Sequence, residues 1–339
     1  MINIGIIGSG EWGANHVRVF SRLKSSRVLM ICDLNADRLR VIKNTYPRAL
    51  VTQDYRDILN NPKIDAVCIA TPTIMHYKIA MQALLKGKHV LCEKPLALKT
   101  EECVRLNKQA RKNKLVLMTG YVFLFNKGIN KIKEYLEGGR LGKVEYMHSE
   151  RTNLGPFRYD INALWDLAPH DISIFNYLLN SMPRLVSAYG ASYLSKHRQD
   201  MAFVTLEYPR NVIANIHVSW LDPKKTRDIT IIGNKKMLVW NDLEHKKPIS
   251  LYNKHVEKTS RYYGTFREFQ LLAKEGKVII PKIKPREPLK QQNLYFLSCI
   301  AEKKQPALAG GKFALNVTKV LKAAQESIMK KGAPVKINY

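Results

Sequence analysis

The sequence predicts an α/β protein in two parts: a parallel-sheet domain over residues 1–120, and an α+β domain over residues 121–339 with an open, largely antiparallel sheet. In the first part, short apolar runs alternate with helix-like segments, which is the pattern of βαβ units. From about residue 121 onward, long stretches alternate between apolar and polar residues. This period of two is typical of antiparallel strands with one face on a core and the other toward solvent or a partner.

The strands of the first part are predicted from their composition. Runs such as "VLMIC" and "DAVCIA" are fully apolar, which suits strands that helices cover on both faces. Amphipathic segments such as "ADRLRVIKNTY" and "TEECVRLNKQARKNK" lie between the runs and predict those helices. The predicted strands are Asn3–Ile7, Val28–Cys32, Ala49–Val51, Ala66–Ala70, His89–Cys92 and Leu115–Thr119.

The second part is predicted to start with a helix near Lys127–Glu137 and to end with helices near Glu287–Glu302 and Lys312–Lys331. Between them lie the alternating stretches "KVEYMHSERT", "RLVSAYGASYL", "MAFVTLEY", "NVIANIHVSWL", "RDITIIG" and "KMLVWND". Because helices can cover one side of such a sheet, we expect the other side to meet another subunit.

The charge balance is strongly basic, with 56 Lys and Arg against 28 Asp and Glu and a net charge of +28. Such an excess suggests a polyanionic partner. Here it is spread over both parts of the chain, with no basic arm and no basic stripe interleaved with aromatic residues. We therefore expect no nucleic-acid binding, and a general attraction for anionic small molecules such as cofactor and substrate phosphates.

The cysteines and the N-terminus bear on the cellular compartment. "MINIGIIGSG" has no basic flank and too short an apolar run for a signal peptide. No window approaches the roughly 20 apolar residues of a membrane span. We expect a cytoplasmic protein with no membrane association. The cysteines show neither CxxC pairs nor metal-site spacing, so we expect free, buried thiols and no metal site: Cys32, Cys68, Cys92, Cys103 and Cys299.

A glycine motif follows the first predicted strand and opens the first predicted helix. In "GSGEWG", Gly8 permits a tight turn, Gly10 lets a pyrophosphate approach the backbone, and Gly13 allows close helix–strand packing. The helix N-terminus adds amide donors and a positive dipole end for the phosphates. The motif alone is weak evidence, but its position predicts a dinucleotide-binding turn that Glu11 and Trp12 also line.

Asp33 completes this fingerprint about 20 residues after Gly13, at the end of the second predicted strand. Its carboxylate would accept hydrogen bonds from the adenosine ribose hydroxyls and repel a 2′-phosphate, which favours NAD over NADP. A helix-capping aspartate is the alternative interpretation. Arg38 and Arg40 nearby leave room for NADP.

Two more motifs follow predicted strands at the edge where ligands of open α/β sheets bind. "ATPTIMH" comes after the fourth strand and "CEKPLAL" after the fifth. Lys94, between Glu93 and Pro95, is thus placed to hydrogen-bond a substrate hydroxyl beside a nicotinamide. The alternative interpretation is that Lys94 is a surface lysine with no role in substrate binding.

The segment "NALWDLAPHDISIF" places Asp166 and His170 four positions apart. The two residues suit an orienting carboxylate and a general base, or equally a helix cap and an uninvolved histidine. Because proline is favoured in the first turn of a helix, Pro169 predicts that a helix begins near this point.

In this order, the glycine fingerprint, "ATP…H", "EKP" and Asp-x-x-x-His resemble the Gfo/Idh/MocA family of NAD(P)-dependent sugar oxidoreductases. The resemblance covers essentially the whole chain, since this family joins a Rossmann domain to a C-terminal domain with an open, largely antiparallel sheet. It implies that Lys94, Asp166 and His170 are catalytic and that the chain forms a homotetramer or homodimer. The family's usual glycine two residues before the motif histidine is replaced by Ala168. Further residues implied to line the cofactor are Thr71, Pro72, His76 and Glu93, with Lys94.

The implied chemistry suits these residue types. Oxidation of a secondary alcohol removes the hydroxyl proton while hydride leaves the same carbon for the nicotinamide. A histidine is a suitable base, a neighbouring carboxylate can orient it, and an ammonium group can stabilise the developing alkoxide. We assign these roles to His170, Asp166 and Lys94. An exchange of roles between Lys94 and His170 stays open.

The segment that contains the histidine resembles the branch of the family that oxidises C3 of UDP-N-acetylglucosamine or its uronate. Arg151 and Arg158 are candidates to hold a diphosphate or carboxylate. Alternatives are an inositol or free-sugar dehydrogenase, a 3-ketoreductase of the same family, and a noncatalytic NAD-binding protein. The remaining candidate substrate residues are Asn153, Tyr159, Asn162 and Trp165.

Overall fold

A computed structural model describes residues 1–196, 198–256, 273–274 and 276–339 of the chain. The chain forms two compact units. The first unit consists of residues 1–125 and 286–322 with residue 339, and the second consists of residues 126–285 and 323–338.

The first unit contains a parallel sheet made of β1 (Ile2–Ile7), β2 (Ser26–Cys32), β3 (Leu50–Thr52), β4 (Ala66–Ile69), β5 (His89–Cys92) and β6 (Leu117–Thr119). The strand order is β3-β2-β1-β4-β5-β6, the doubly wound order of dinucleotide-binding domains. All the predicted strands of this sheet are present, with bounds shifted by at most 2 residues. The residues of β4 are fully buried, which explains why its sequence is apolar throughout.

Helices of the first unit begin where side chains cap their free amides. Asn35 accepts a hydrogen bond from the N–H of Arg38, and Asp54 accepts one from the N–H of Arg56. These caps fix the starts of the second and third helices. The helices before residue 125 are α1 (Glu11–Arg22), α2 (Ala36–Thr45), α3 (Tyr55–Asn60), α4 (His76–Leu85) and α5 (Thr100–Lys112).

Two later helices contribute to the first unit. Helix α8 (Pro288–Ala301) packs against α1 and against the 3₁₀ turn at Val122–Phe125. Helix α9 (Gly311–Met329) follows a segment in which the carbonyl of Ala309 accepts a hydrogen bond from the N–H of Thr119 at 2.8 Å. The expected division into residues 1–120 and 121–339 therefore differs from the structure. The sequence pattern of an amphipathic helix shows that one face is buried, but it does not show which sheet that face covers.

The second unit begins with α6 (Lys127–Glu137) and also contains α7 (Ala163–Leu179). Its strands form a sheet in the order β16-β13-β12-β11-β7-β10-β9-β8-β17, and β14 pairs separately with β15. Within the described strands of the large sheet, β7 and β10 run parallel and the other ladders are antiparallel, as predicted. The strands are β7 (Val144–Leu154), β8 (Leu185–Ala191), β9 (Met201–Tyr208), β10 (Val212–Ser219), β11 (Leu221–Gly233), β12 (Met237–Asn241), β13 (Ile249–Tyr252), β14 (His255–Val256), β15 (Ala273–Lys274), β16 (Val278–Ile279) and β17 (Val335–Lys336).

The two faces of the large sheet differ in burial. Helix α7 packs on β7, β9 and β10, and strand residues on that face, such as Val204 and Ala214, are fully buried. On the opposite face, Tyr146 is 46% exposed, Tyr189 is 62% exposed and Phe203 is 49% exposed. The alternation in the sequence thus corresponds to one covered face and one open face rich in aromatic residues.

Among the described residues, no helix combines the length and the apolarity that crossing a membrane requires. The cysteines are free and buried, as predicted.

Candidate active site

The glycine turn of the first unit has the geometry that the fingerprint predicts. Gly8 has φ of +92°, and a Cβ there would lie 2.4 Å from the carbonyl oxygen of Ala70. A Cβ on Gly13 would lie 1.9 Å from the carbonyl oxygen of Gly8. Neither position therefore accommodates a side chain, because the turn and the helix pack backbone against backbone.

Gly10 differs from the other two glycines because its surroundings are open. The protein atom nearest to a Cβ placed there is Nη1 of Arg38, at 3.8 Å. Gly10 precedes the first turn of α1, where Glu11 and Trp12 are exposed. Its backbone is thus accessible at a helix N-terminus, which fits the pyrophosphate of a dinucleotide.

Asp33 lies just beyond β2, next to this turn. Its Oδ2 accepts hydrogen bonds from the N–H of Ser9 at 2.6 Å and from the Ser9 hydroxyl at 2.9 Å, and its Oδ1 accepts one from the N–H of Asn35 at 2.9 Å. Burial by itself raises the pKa of Asp33, but these donors and Arg38 outweigh burial and lower it below its usual value. A fixed carboxylate at this place suits a ribose diol and disfavours a 2′-phosphate.

Lys94 follows β5 at the same edge of the sheet and is 8% exposed. Glu93 precedes it, and one Glu93 oxygen accepts a hydrogen bond from the N–H of Lys94 at 3.3 Å. Thr71 is half-buried and Pro72 is exposed beyond the end of β4. The structure thus gathers the predicted Thr71, Pro72, Glu93 and Lys94 at the carboxyl edge of one sheet.

His76 has a different role from the predicted one. Its side chain is 1% exposed, with Nδ1 2.8 Å from the carbonyl oxygen of Pro95 and Nε2 2.9 Å from that of Thr71. The expectation that His76 lines the cofactor is therefore replaced by a structural role. Both ring nitrogens face backbone carbonyls, so the ring joins the loops after β4 and β5.

In the second unit, Asp166 and His170 both lie on α7. Asn162 caps this helix by accepting a hydrogen bond from the N–H of Trp165 at 3.0 Å. The prediction that the helix begins near Pro169 is wrong, because this cap starts it at Ala163 and leaves Pro169 inside. Residues four apart in a helix share one face, so Asp166 and His170 are neighbours one turn apart.

Asp166 belongs to a polar network at the start of α7. Its Oδ1 is 3.4 Å from Nη1 of Arg158, and its Oδ2 accepts a hydrogen bond from the Trp220 indole at 3.3 Å. Arg158 also donates two hydrogen bonds to Asp160, at 3.0 and 2.9 Å. The ring of Phe157 meets Trp220 edge to face at 6.3 Å. Asp166 thus contacts side chains from two other parts of the chain, Arg158 and Trp220.

Arg151 does not face this network. Its Nε and Nη2 donate to the two carboxylate oxygens of Asp171 at 2.7 and 3.0 Å, and the side chains are 5% and 1% exposed. The expectation that Arg151 holds a substrate diphosphate is corrected to a buried ion pair between β7 and α7. Removing one partner of such a pair typically costs about 3–5 kcal/mol of unfolding free energy.

Other predicted substrate residues divide into structural and exposed ones. Asn162 serves as the helix cap and donates to Gln199 at 2.6 Å and to Gln325 at 2.8 Å, while Trp165 is 8% exposed. The hydrogen bonds of Asn162 make it a structural position, whereas the substrate contact expected for Trp165 stays a prediction. Asn153 donates to the carbonyls of Leu154 and Gly155. Tyr159 is 89% exposed beneath the guanidinium of Arg198.

The residues of these networks that the sequence analysis does not anticipate include Ser9, His16 and Trp220. Ser9 is a variable position of the glycine motif. His16 is fully buried in α1, with Nε2 2.9 Å from Oε1 of Glu93. Trp220 lies 54 residues from its partner Asp166. A polar residue on the buried face of a predicted helix was the available signal for His16, whereas no local pattern connects Trp220 to Asp166.

The open space at Gly10 leads to a prediction about cofactor binding. Gly10→Ala should fold with an unchanged melting temperature, because no protein atom crowds the new methyl group, but it should bind NADH at least about tenfold more weakly. Fluorescence titration with NADH and thermal unfolding measure the two effects. Gly13→Ala is the matched control and should lose stability through its backbone clash. A Gly10→Ala protein with wild-type NADH affinity would contradict this assignment.

Models of two domains match the chain. Residues 2–121 match the oxidoreductase family with an NAD-binding Rossmann fold, and residues 129–239 match the GFO/IDH/MocA C-terminal domain. The chain is 30% identical to the uncharacterized oxidoreductase YrbE of Bacillus subtilis over 62% of its own length and 65% of that relative's, just under two thirds. It is 25% identical to the myo-inositol 2-dehydrogenase of Thermotoga maritima over 85% of its length and 90% of the relative's.

Among solved structures, UDP-N-acetylglucosamine 3-dehydrogenase GnnA from Acidithiobacillus ferrooxidans superposes with a TM-score of 0.79. Sequence identity is 24%, and the match covers 97% of this chain and 98% of that one. A likeness at this identity reflects the shared fold. With both domain models matched in order and the glycine turn, "EKP" and Asp-x-x-x-His motifs in place, the chain belongs to the Gfo/Idh/MocA family of oxidoreductases and carries its NAD-binding Rossmann domain.

Proposed function

We propose that the protein oxidises a secondary hydroxyl group of a polyhydroxylated ring, a sugar or a cyclitol, with NAD as the electron acceptor. The observation that carries this proposal is the Asp166–His170 pair on α7, whose carboxylate is fixed by Arg158 and Trp220. In a family of oxidoreductases, a histidine one helical turn from an anchored carboxylate suits a general base and its orienting group.

The residues of the first unit fit the cofactor. The accessible backbone at Gly10 and the N-terminus of α1 would hold the pyrophosphate, and Asp33 would accept hydrogen bonds from the ribose. When bound, NAD supplies the acceptor for the hydride that leaves the substrate carbon. The protein's own side chains carry out the accompanying proton transfer.

Three side chains take part in removing the proton of the hydroxyl group. We assign His170 as the base that takes this proton as the C=O bond forms, which balances the hydride that leaves the carbon. Asp166 orients the imidazole and stabilises its cation. We assign to the Lys94 ammonium the stabilisation of the negative charge that develops as the proton leaves. The exchanged assignment, with Lys94 as the base, uses the same residues.

The charges around Asp166 favour an uncharged substrate. Arg158 contacts two carboxylates, those of Asp160 and Asp166, and Arg151 is buried against Asp171. Neither arginine offers uncompensated positive charge to a diphosphate. A cyclitol or free sugar, which binds through hydroxyl groups, is therefore our first candidate, and the inositol dehydrogenases among the relatives support it.

A nucleotide-linked amino sugar such as UDP-N-acetylglucosamine or its uronate, oxidised at C3, is the second candidate. The observation in its favour is a bulge in β11, where the register with β7 shifts between Leu221 and Thr226. Lys224 and Lys225 are exposed in this bulge, and the carbonyl of Lys224 accepts a hydrogen bond from the Thr152 hydroxyl at 3.3 Å. Two exposed ammonium groups at such a bulge could pair with a diphosphate.

We also propose that the open face of the large sheet joins a second copy of the chain. A registered row of side chains crosses this face through Tyr189, Phe203, His217, Glu150 and Asp228. Phe203 stacks on His217 with ring centroids 4.4 Å apart. Aromatic residues exposed in a row on one face are typical of a surface that a partner covers.

The proposed reaction is tested with a panel of substrates. Purified protein with NAD should form NADH and a ketone from myo-inositol or D-glucose, or else a 3-keto product from UDP-N-acetylglucosamine. Lys94→Ala and His170→Ala should each lower kcat by roughly 10²-fold or more, because each loses a group that acts on the hydroxyl. Lys99→Ala, at an exposed lysine near Lys94, is the matched control and should keep wild-type activity. Full activity in either catalytic variant would refute the assignment.

The proposed assembly is tested by sedimentation velocity. The wild-type chain should sediment as a dimer or tetramer, and Phe203→Glu should shift it toward monomer because the variant replaces an exposed aromatic side chain of the row with a charge. Lys24→Glu, an exposed position of the first unit, should leave the species unchanged. A wild-type protein that sediments as monomer at every concentration would overturn the proposal.

A further inference from the structure

A buried histidine connects the glycine-turn helix to the loop that carries Lys94. His16 is fully buried in α1, and its Nε2 lies 2.9 Å from Oε1 of Glu93, whose side chain is 12% exposed. On the other side of the ring, Nδ1 lies 3.3 Å from the side-chain amide of Asn293 on α8. Both residues that hold the imidazole belong to the first unit, as His16 does.

The hydrogen bonds favour an imidazolium ion. Oδ1 of Asn293 is buried and has no hydrogen-bond partner within the described part of the chain. Rotating this amide by 180° would turn Oδ1 toward Nδ1, which then needs a proton to donate. With Nε2 donating to Glu93, the ring would carry hydrogen on both nitrogens and a positive charge.

The electrostatic surroundings agree with a charged ring. Burial by itself lowers the pKa of His16, but interactions with Cys68 and Glu93 outweigh burial and raise it. Burial also raises the pKa of the Cys68 thiol, so at physiological pH the thiol is neutral and the charge that favours the imidazolium comes from Glu93. Glu93 is then the group whose negative charge balances the imidazolium.

The carboxylate of Glu93 is confined on its remaining sides. A Cβ placed on Gly120 would lie 2.8 Å from Oε1 of Glu93, which is too close for a side chain. The backbone beyond β6 therefore packs directly against the carboxylate. The second oxygen, Oε2, accepts the hydrogen bond from the N–H of Lys94 at 3.3 Å. One carboxylate thus contacts the helix that follows the glycine turn and the backbone of the lysine.

We propose that His16 is a positioning residue for Lys94: its pair with Glu93 fixes the lysine loop to the helix whose N-terminus receives the cofactor phosphates. This inference rests on the proposed function, because it takes Lys94 to act in catalysis. Helix α1 and the loop after β5 then form one rigid support. Without the pair, Lys94 loses its fixed position relative to the cofactor, although the glycine turn is intact.

This role predicts a change in kcat more than in cofactor affinity. His16→Asn is too short to reach Glu93, and misplacement of a catalytic group by about 1 Å can cost 10²-fold in rate. We expect this variant to lower kcat by roughly 10- to 100-fold, with the dissociation constant of NADH within about threefold of wild type. His16→Gln extends an amide N–H toward Glu93, so we expect it to restore kcat to within a few-fold of wild type.

The experiment measures kcat, the KM for NAD and the NADH dissociation constant for both variants. Ser21→Ala, an exposed position on the same helix, is the control. The NADH titration also reports the folded fraction, so that a loss of folding is not counted as a loss of rate. Wild-type kcat in His16→Asn, or equal losses of kcat and NADH affinity, would overturn the inference. A fully active Lys94→Ala would instead refute the proposed function itself.

Discussion

Five neighbouring parallel strands end in one register, and the arrangement of the first unit depends on this constraint. Ile7 pairs with both Cys32 and Ile69, Ile69 pairs with Cys92, and Cys92 pairs with Thr119. The residue after each strand must therefore emerge at the same edge of the sheet. This places the glycine turn, Asp33, the segment after β4, Glu93 with Lys94, and Gly120 side by side, although they are far apart in sequence.

Hydrogen bonds of buried polar groups then hold the side chains and loops of the candidate site in place. At the edge of the first unit, Asp33 holds Ser9 and His76 joins two loop carbonyls. In the second unit, Arg158 and Trp220 hold Asp166. Charge-assisted hydrogen bonds of this kind contribute more to the geometry of the site than to its net stability. The desolvation free energy of burying each charge offsets much of the free energy gained by pairing. Fixed geometry is what a proton transfer requires.

The sequence predicted those features that arise from local rules. The parallel strands followed from apolar runs, and the roles of Gly8 and Gly13 followed from a motif whose steric reason is contained in its spacing. The start of α7 differs from the prediction because Pro169 is a favourable residue in a first turn, whereas the cap by Asn162, seven residues earlier, sets the boundary.

Features that depend on distant partners could not be predicted. The sequence suggests Arg151 as an anion ligand, but Asp171, on a different element, occupies its guanidinium. His76 had the right motif position, but two carbonyls from separate loops take up its ring. The grouping of residues 286–322 with the first unit depends in the same way on α8 packing against α1. In each case the sequence indicates one side chain or helix, but it does not indicate which distant residue or element that group contacts.

We propose that Lys94 and His170 serve the same chemical step. The most direct test is the single-turnover rate of NADH formation in Lys94→Ala, in His170→Ala and in the double variant. Residues that act as a unit give strongly non-additive losses. We expect the double variant to be about as slow as the slower single variant. Losses that multiply in the double variant would contradict it.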